Sequence, residues 1–171
     1  EIFYYIYALL YSEEYRKNFK NNLTKELAKI PFVKKHIDFK LFCSIGKKLG
    51  DLHVNYEKAD LFKVKIDKNK IKNKNYFKIE KMKFAGKRPN LNKSTIIYNE
   101  EIKIDGIPLE AYKFVINRKS AIEWVMESLQ ISKDPNSEII NNANNFAIEN
   151  MKNPSYCLEL LQKIITVSIE T

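Results

Sequence analysis

The apolar positions divide the chain into a helical opening, a strand-rich middle and a helical close. IFYYIYALL, from Ile2 to Leu10, is apolar nearly all round and predicts a short, well-buried helix. Ser12 then offers an N-cap, with Glu13 and Glu14 in the first turn, where the helix dipole favours acids. Tyr15, Phe19 and Leu23 follow at four-residue spacing as the buried stripe of that second helix, and Pro31 ends it. Leu41, Ile45, Leu49 and Leu52 mark a long amphipathic helix from about Asp38 to Tyr56. Residues 1–57 therefore read as a helical platform.

The period then changes from helical to alternating. Phe62, Val64 and Ile66 alternate with Lys63 and Lys65; Phe77 and Ile79 alternate with Lys78 and Glu80; Met82 and Phe84 alternate with Lys81 and Lys83. The apolar set moves from odd to even positions between Ile79 and Met82, which predicts a bulge or strand break there. Residues 67–75 and 86–93 read as basic loops. Thr95–Tyr98, Ile102–Ile104 and Ala111–Ile116 read as further strands, with Asp105-Gly106 as a turn. Asn117-Arg118-Lys119 is a tight connection, and Ser120 to Glu123 matches a capping box for a helix to about Leu129, burying Ile122, Val125 and Leu129. Residues 132–152 are Asn-rich and predict irregular structure. Asn153 and Pro154 open a last helix with Cys157, Leu161, Ile164 (or Ile165) and Ser168 as its stripe. The expected fold class is α+β: an N-terminal helical platform, a central antiparallel sheet with basic loops, and closing C-terminal helices. Residues 58–171 form its α+β part, and the whole is expected to be one compact unit.

Charge changes the picture in one place. The 171 residues carry a formal net charge of +9, and Leu61 to Lys93 alone holds 11 Lys and one Arg against two acids, a balance of +10 that leaves −1 for everything else. A basic segment points to a polyanionic partner or an anionic surface, and charge alone does not say which. Lysine suits phosphate as a point charge, while arginine is the usual forked reader of guanine; only Arg16, Arg88 and Arg118 are available for that role. Burying Phe77, Ile79, Met82 and Phe84 is worth ~1.5–3 kcal/mol each, enough to hold those strands in a sheet whose other face carries the lysines. Lys81, Lys83, Lys87 and Lys93 are the candidate phosphate contacts. Arg88, Asn90, Asn92, Ser94, Asn117, Arg118, Lys119 and Ser120 are candidates for further base or backbone contacts with DNA.

Other chemistry is sparse. Cys43 and Cys157 lack metal-type spacing and read as buried free thiols, which fits a reducing cytoplasm. No apolar run is long enough to span a bilayer and no signal peptide is visible, so no membrane partner is expected. Four glycines do not make a phosphate cradle, and His36 and His53 stand without ligand-spaced neighbours. Trp124 reads as core or interface. Glu101-Ile-Lys103 is the E-x-K half of a metal-dependent nuclease site, with no second carboxylate placed beside it. Two alternatives stay open: such a nuclease, and a basic scaffold that binds nucleic acid without preference. Both chain ends look cut, as if from a larger polypeptide.

Several long segments then carry a resemblance: FYYIYALLYSEEYR (3–16), GKKLGDLHVNYE (46–57), KSTIIYN (93–99), GIPLEAY (106–112), SAIEWVM (120–126), NPSY (153–156) and ITVSIET (165–171). In this order and over essentially the whole chain, the sequence resembles the C-terminal specificity domain of type ISP restriction-modification enzymes. The resemblance implies a target-recognition domain that holds double-stranded DNA against an adjoining adenine methyltransferase domain, in a long bacterial polypeptide that also carries a nuclease and a translocase. It implies that this fragment is not itself an enzyme. S-adenosylmethionine, ATP and magnesium would bind in other domains, so no catalytic, cofactor or metal residue is expected here. One departure stands out: relatives usually have Asn-Gly-Lys where this chain has Asn117-Arg118-Lys119. If Arg118 needs a positive φ, it pays roughly 1 kcal/mol, and a DNA contact is a candidate compensation.

Overall fold

The computed structural model describes residues 1–67 and 76–171, which fall into two units, Glu1–Tyr56 with Thr171 and Glu57–Glu170. The expected loop at residues 67–75 lies, apart from Asp67, outside the described residues.

The first unit is helical: α1 (Ile2–Tyr11), α2 (Glu13–Asn18), α3 (Lys20–Leu23) and α4 (His36–Val54). The Ser12 side chain accepts from the Tyr15 N–H and caps α2 as expected. The expected second helix breaks at Phe19, whose φ of −108° and ψ of 16° separate α2 from α3; of its three stripe residues only Tyr15 is buried. Hydroxyls of Tyr5 and Tyr15 donate to the carbonyls of Pro31 and Lys29, at 2.5 and 2.7 Å, and so hold the connecting segment.

The buried side of α4 also differs from expectation. Leu41 and Ile45 are 58 and 48% exposed, while Cys43, Gly46 and Leu49 are buried. The reason is glycine: α1 lies so close to α4 that a Cβ on Gly46 would collide with the Tyr4 carbonyl, and one on Gly50 would touch the Tyr4 ring at 3.4 Å. Backbone contact at the small residues sets which face is covered, and Leu41 and Ile45 are left outside it. His53 on α4 is bonded to residues distant in sequence, with Nδ1 2.7 Å from the Tyr7 hydroxyl and Nε2 2.7 Å from Thr171 Oγ1.

The second unit is built on a four-stranded antiparallel sheet of β1 (Lys65–Asp67), β2 (Lys83–Lys87), β3 (Asn90–Ile97) and β4 (Lys103–Asp105), in the order β1-β4-β3-β2. Residues directly opposite one another share a face. Ile66, Ile104, Ile96 and Phe84 therefore form one apolar row, and Asp67, Lys103, Ile97 and Lys83 form a row on the other side. Behind the apolar row pack α5 (Ala121–Ser128) and α7 (Tyr156–Glu170), with Ile122, Leu161 and Ile165 fully buried. The α7 stripe of Cys157, Leu161, Ile164 and Ser168 is buried as the spacing predicts, and burial pushes the Cys157 thiol up to about 11.

Three expected features are corrected. Residues 86–93 are not a loop but the tip and second strand of a β2–β3 hairpin. Ala111–Ile116 is not one strand: a 3-10 turn spans Leu109–Tyr112, and only Val115–Ile116 (β5) pairs, with Lys119–Ser120 (β6). The Asn-rich stretch contains a small hairpin, β7 (Ser132–Lys133) with β8 (Ile140–Asn141), and a helix, α6 (Ala143–Glu149).

Residues 76–80 alternate like a strand but join no sheet. Their backbone is satisfied by side chains instead. Asn99 Nδ2 donates to the carbonyls of Tyr76 and Lys78, the Tyr98 hydroxyl to that of Phe77, and Asn144 both accepts from the Ile79 N–H and donates to the Ile79 carbonyl, each of these last two at 2.8 Å. The Ile131 N–H takes the Glu80 carbonyl. A buried backbone group needs a partner, and here amide side chains fill the place of a neighbouring strand.

Candidate nucleic-acid interface

The sheet lysines share the face opposite the apolar row but do not form a continuous patch on it. Lys65 lies on β1 and Lys83 on β2, at opposite edges of the sheet, and Asp67 and Asp105 interrupt the lysines between them. Lys103 pairs with Asp105 at 3.1 Å. Charge concentrates instead at the β2 edge. A cleft of about 580 Å³ opens between β2, the tip that joins it to β3, and one side of α5; Lys81, Lys83, Arg88 and Lys119 line it, with Glu123 and Glu127 on the helix side.

The acids in this cleft are already neutralised. Glu123 meets Lys93 at 3.0 Å, and Glu127 meets Lys119 at 2.6 Å. Lys81, Lys83 and Arg88 have no ion-pair partner among the described residues, so the cleft presents uncompensated positive charge. The hairpin tip that carries Arg88 depends on Gly86: its φ is +85°, and a Cβ there would lie 2.6 Å from the Asn90 carbonyl oxygen. Lys87, Arg88 and Asn90 are exposed around this tip.

Four other sequence candidates are engaged in local structure. The Lys93 ammonium lies 5.5 and 5.2 Å from the ring centres of Phe84 and Tyr112 while it pairs with Glu123. Asn92 Oδ1 accepts from the Ser94 N–H and hydroxyl, at 3.0 and 2.7 Å, inside the bulge where the β2–β3 register shifts. Ser120 is 2% exposed and forms the expected capping box, its hydroxyl accepting from the Glu123 N–H and its own N–H donating to the Glu123 carboxylate.

Partial burial pushes the Glu123 carboxyl up, but hydrogen bonds from Ser120 and Lys93 outweigh it and hold the group below the ordinary 4.5. A carboxyl depressed in the folded state contributes stability above its unfolded value and loses it as pH falls through the folded one. The thermal midpoint is therefore expected to drop as pH falls from about 5 to about 3. Glu123→Gln should lower the midpoint near neutrality and make the acid decline shallower; an unchanged acid decline in a melting series would contradict this role.

A second tip stands beside the cleft. Ile116 pairs with Lys119 across a two-residue turn, and both turn residues are left-handed, Asn117 at φ 49° and Arg118 at φ 71°. The positive φ anticipated for Arg118 is present, and Asn117 shares it. Trp124, expected in core or interface, is 40% exposed and donates its indole N–H to the Ile116 carbonyl at 2.7 Å; the Lys119 ammonium sits 5.0 Å from the Trp124 ring centre. The sequence signal for this contact is the helical spacing of Trp124 from the capping serine, which brings it back over the preceding turn. Glu127 and Gln130, which also line the cleft, were not among the sequence candidates.

The E-x-K pair does not assemble a site. Glu101 lies before β4 and not on it, Lys103 is taken by Asp105, and among the described residues no group of three His, Cys, Asp or Glu side chains is placed to hold a metal. No helix of the structure is long and apolar enough to cross a membrane among the described residues.

The family model described as the Type ISP C-terminal specificity domain matches residues 1–160. No curated protein matches the chain. Among solved structures, a nuclease-deletion mutant of the Type ISP restriction-modification enzyme LlaGI, in complex with a DNA substrate mimic, is 38% identical with a TM-score of 0.80, over 98% of this chain and 13% of its own. The ATP-dependent Type ISP restriction-modification enzyme LlaBIII bound to DNA is 37% identical with a TM-score of 0.79, over 98% and 10%. A DrdV–DNA complex is 25% identical with a TM-score of 0.76, over 99% and 17%. The chain thus spans 10 to 17% of the length of these relatives.

Proposed function

From the premise that this chain belongs to the Type ISP C-terminal specificity domain family, we propose that it is the DNA target-recognition part of a restriction-modification polypeptide. It holds duplex DNA and selects an asymmetric site for methylation and cleavage by other domains. The observation that carries this reading is the cleft whose cations Lys81, Lys83 and Arg88 face no acid partner, next to two exposed hairpin tips. Lysines at the rim meet phosphates and fix register; the tips reach base edges. The DNA complexes among its relatives support the same partner.

The fragment supplies no catalytic group in this reading. S-adenosylmethionine, ATP and magnesium bind in the other domains of a cytoplasmic polypeptide. The adjoining methyltransferase domain covers apolar side chains that the first unit leaves open, among them Ile2, Phe3, Ile37, Leu41 and Ile45. Methylome sequencing of a host carrying the full-length polypeptide tests the reading. A single asymmetric adenine-methylated motif is the expected result; methylation scattered without a motif would favour a scaffold without sequence preference.

A further inference from the structure

The β5–β6 turn carries a side chain that gains nothing for the fold by being there. Two successive left-handed residues are the geometry of a tight hairpin turn that favours glycine at its second position. This chain places Arg118 at that position, with an exposed side chain that makes no ion pair among the described residues. The turn is nevertheless tied down on its helix side by three contacts. The capping box joins Ser120 to Glu123, the Lys119 ammonium reaches both Glu127 oxygens at 2.7 and 2.6 Å, and the Trp124 indole N–H holds the Ile116 carbonyl at 2.7 Å. Only the last of these acts on the strand that enters the turn. A strained arginine at the tip of a fastened hairpin, at the border of a basic cleft, has the form of a pre-organised reading head.

Resting on the recognition reading above, we propose that Arg118 donates its guanidinium fork to the O6 and N7 edge of one guanine in the target. Trp124, through its bond to Ile116, is the positioning residue that holds Arg118 for this contact. Arginine is the side chain whose planar fork matches that edge, and a well-aligned pair discriminates guanine from other bases by roughly 5- to 150-fold. Discrimination depends on alignment, so releasing the turn should cost selectivity at that one position even though Trp124 touches no base.

The test uses the full-length polypeptide and measures methylation rates on duplexes carrying each of the four base pairs at every position of its motif. Arg118→Gly is the informative first variant, because glycine suits the turn and the fold is retained. It is expected to lose roughly tenfold or more of the preference for guanine at one position and to leave the others unchanged. Trp124→Phe keeps an apolar ring but no N–H donor, and should relax the same position by a smaller factor. The double variant should be no less selective than Arg118→Gly alone, since Trp124 acts through Arg118. A uniform fall over all duplexes for Arg118→Gly would mean a phosphate contact and overturn the proposal. So would a Trp124→Phe effect that persists in the Arg118→Gly background or spreads over several positions. A wild-type protein with no base preference anywhere would instead remove the recognition reading itself.

Discussion

Asn144→Ala is expected to destabilise the second unit by about 2–6 kcal/mol, because it strands both the N–H and the carbonyl of Ile79. Ile79 is fully buried, so water cannot replace the lost amide. Each unsatisfied buried backbone group costs about 1–3 kcal/mol, and the substitution leaves two of them. In a chain of this size the thermal midpoint should fall by roughly 4–24 °C. The neighbouring Asn145 is exposed and serves as the control, with Asn145→Ala expected within about 0.5 kcal/mol of the parent. Equal melting of the two variants would show that Asn144 is not the fastening of this segment.

Removing Lys81, Lys83 and Lys87 together should change how DNA binding responds to salt more than how it responds to sequence. Lys81 and Lys83 line the cleft and Lys87 stands at its hairpin. Each lysine that neutralises a phosphate adds about 0.9 to the slope of log affinity against log salt. Loss of three contacts should flatten that slope by roughly 2.7, so a fourfold rise in salt weakens the triple alanine variant about 40-fold less than the parent. Target and random duplexes should lose affinity by the same factor, as phosphate contacts carry no base information. A titration of the full-length protein over several salt concentrations gives the slope. An unchanged slope would place the phosphates elsewhere on the surface.

Regular elements were legible wherever local and tertiary demands agree. The α7 stripe and the Ser120–Glu123 capping box follow from spacing alone, since a helix buries one face and its first turn needs acceptors wherever it occurs. The strands around Ile96 and Ile104 follow from alternation. What was not legible depended on partners distant in sequence. Residues 76–80 carry a strand's alternation, yet their backbone partners are side chains of Tyr98, Asn99 and Asn144 and the N–H of Ile131, which no period announces. The buried face of α4 was misread because leucines outweigh glycines in any apolar count, whereas helix approach is decided at Gly46.

The candidate site was legible in part. The basic segment is plain in the sequence, but counting charge along a chain does not say which lysines meet an acid once folded. Lys93 carries the same formal charge as Lys81, and the fold gives it to Glu123. Trp124 shows the converse: its indole is an ordinary apolar group in the sequence, and its bond to the Ile116 carbonyl exists only because the hairpin folds back onto α5.

The two hairpin tips stand apart from the packing that keeps the second unit folded. Ile96, Ile104, Ile122, Leu161 and Ile165 make its interior, and Arg88, Asn90, Asn117 and Arg118 contribute nothing to it. On the recognition reading proposed above, address and architecture are written in different residues of one chain. Substitutions at the tips can then alter what is read, one side chain at a time, while the frame beneath them stays the same.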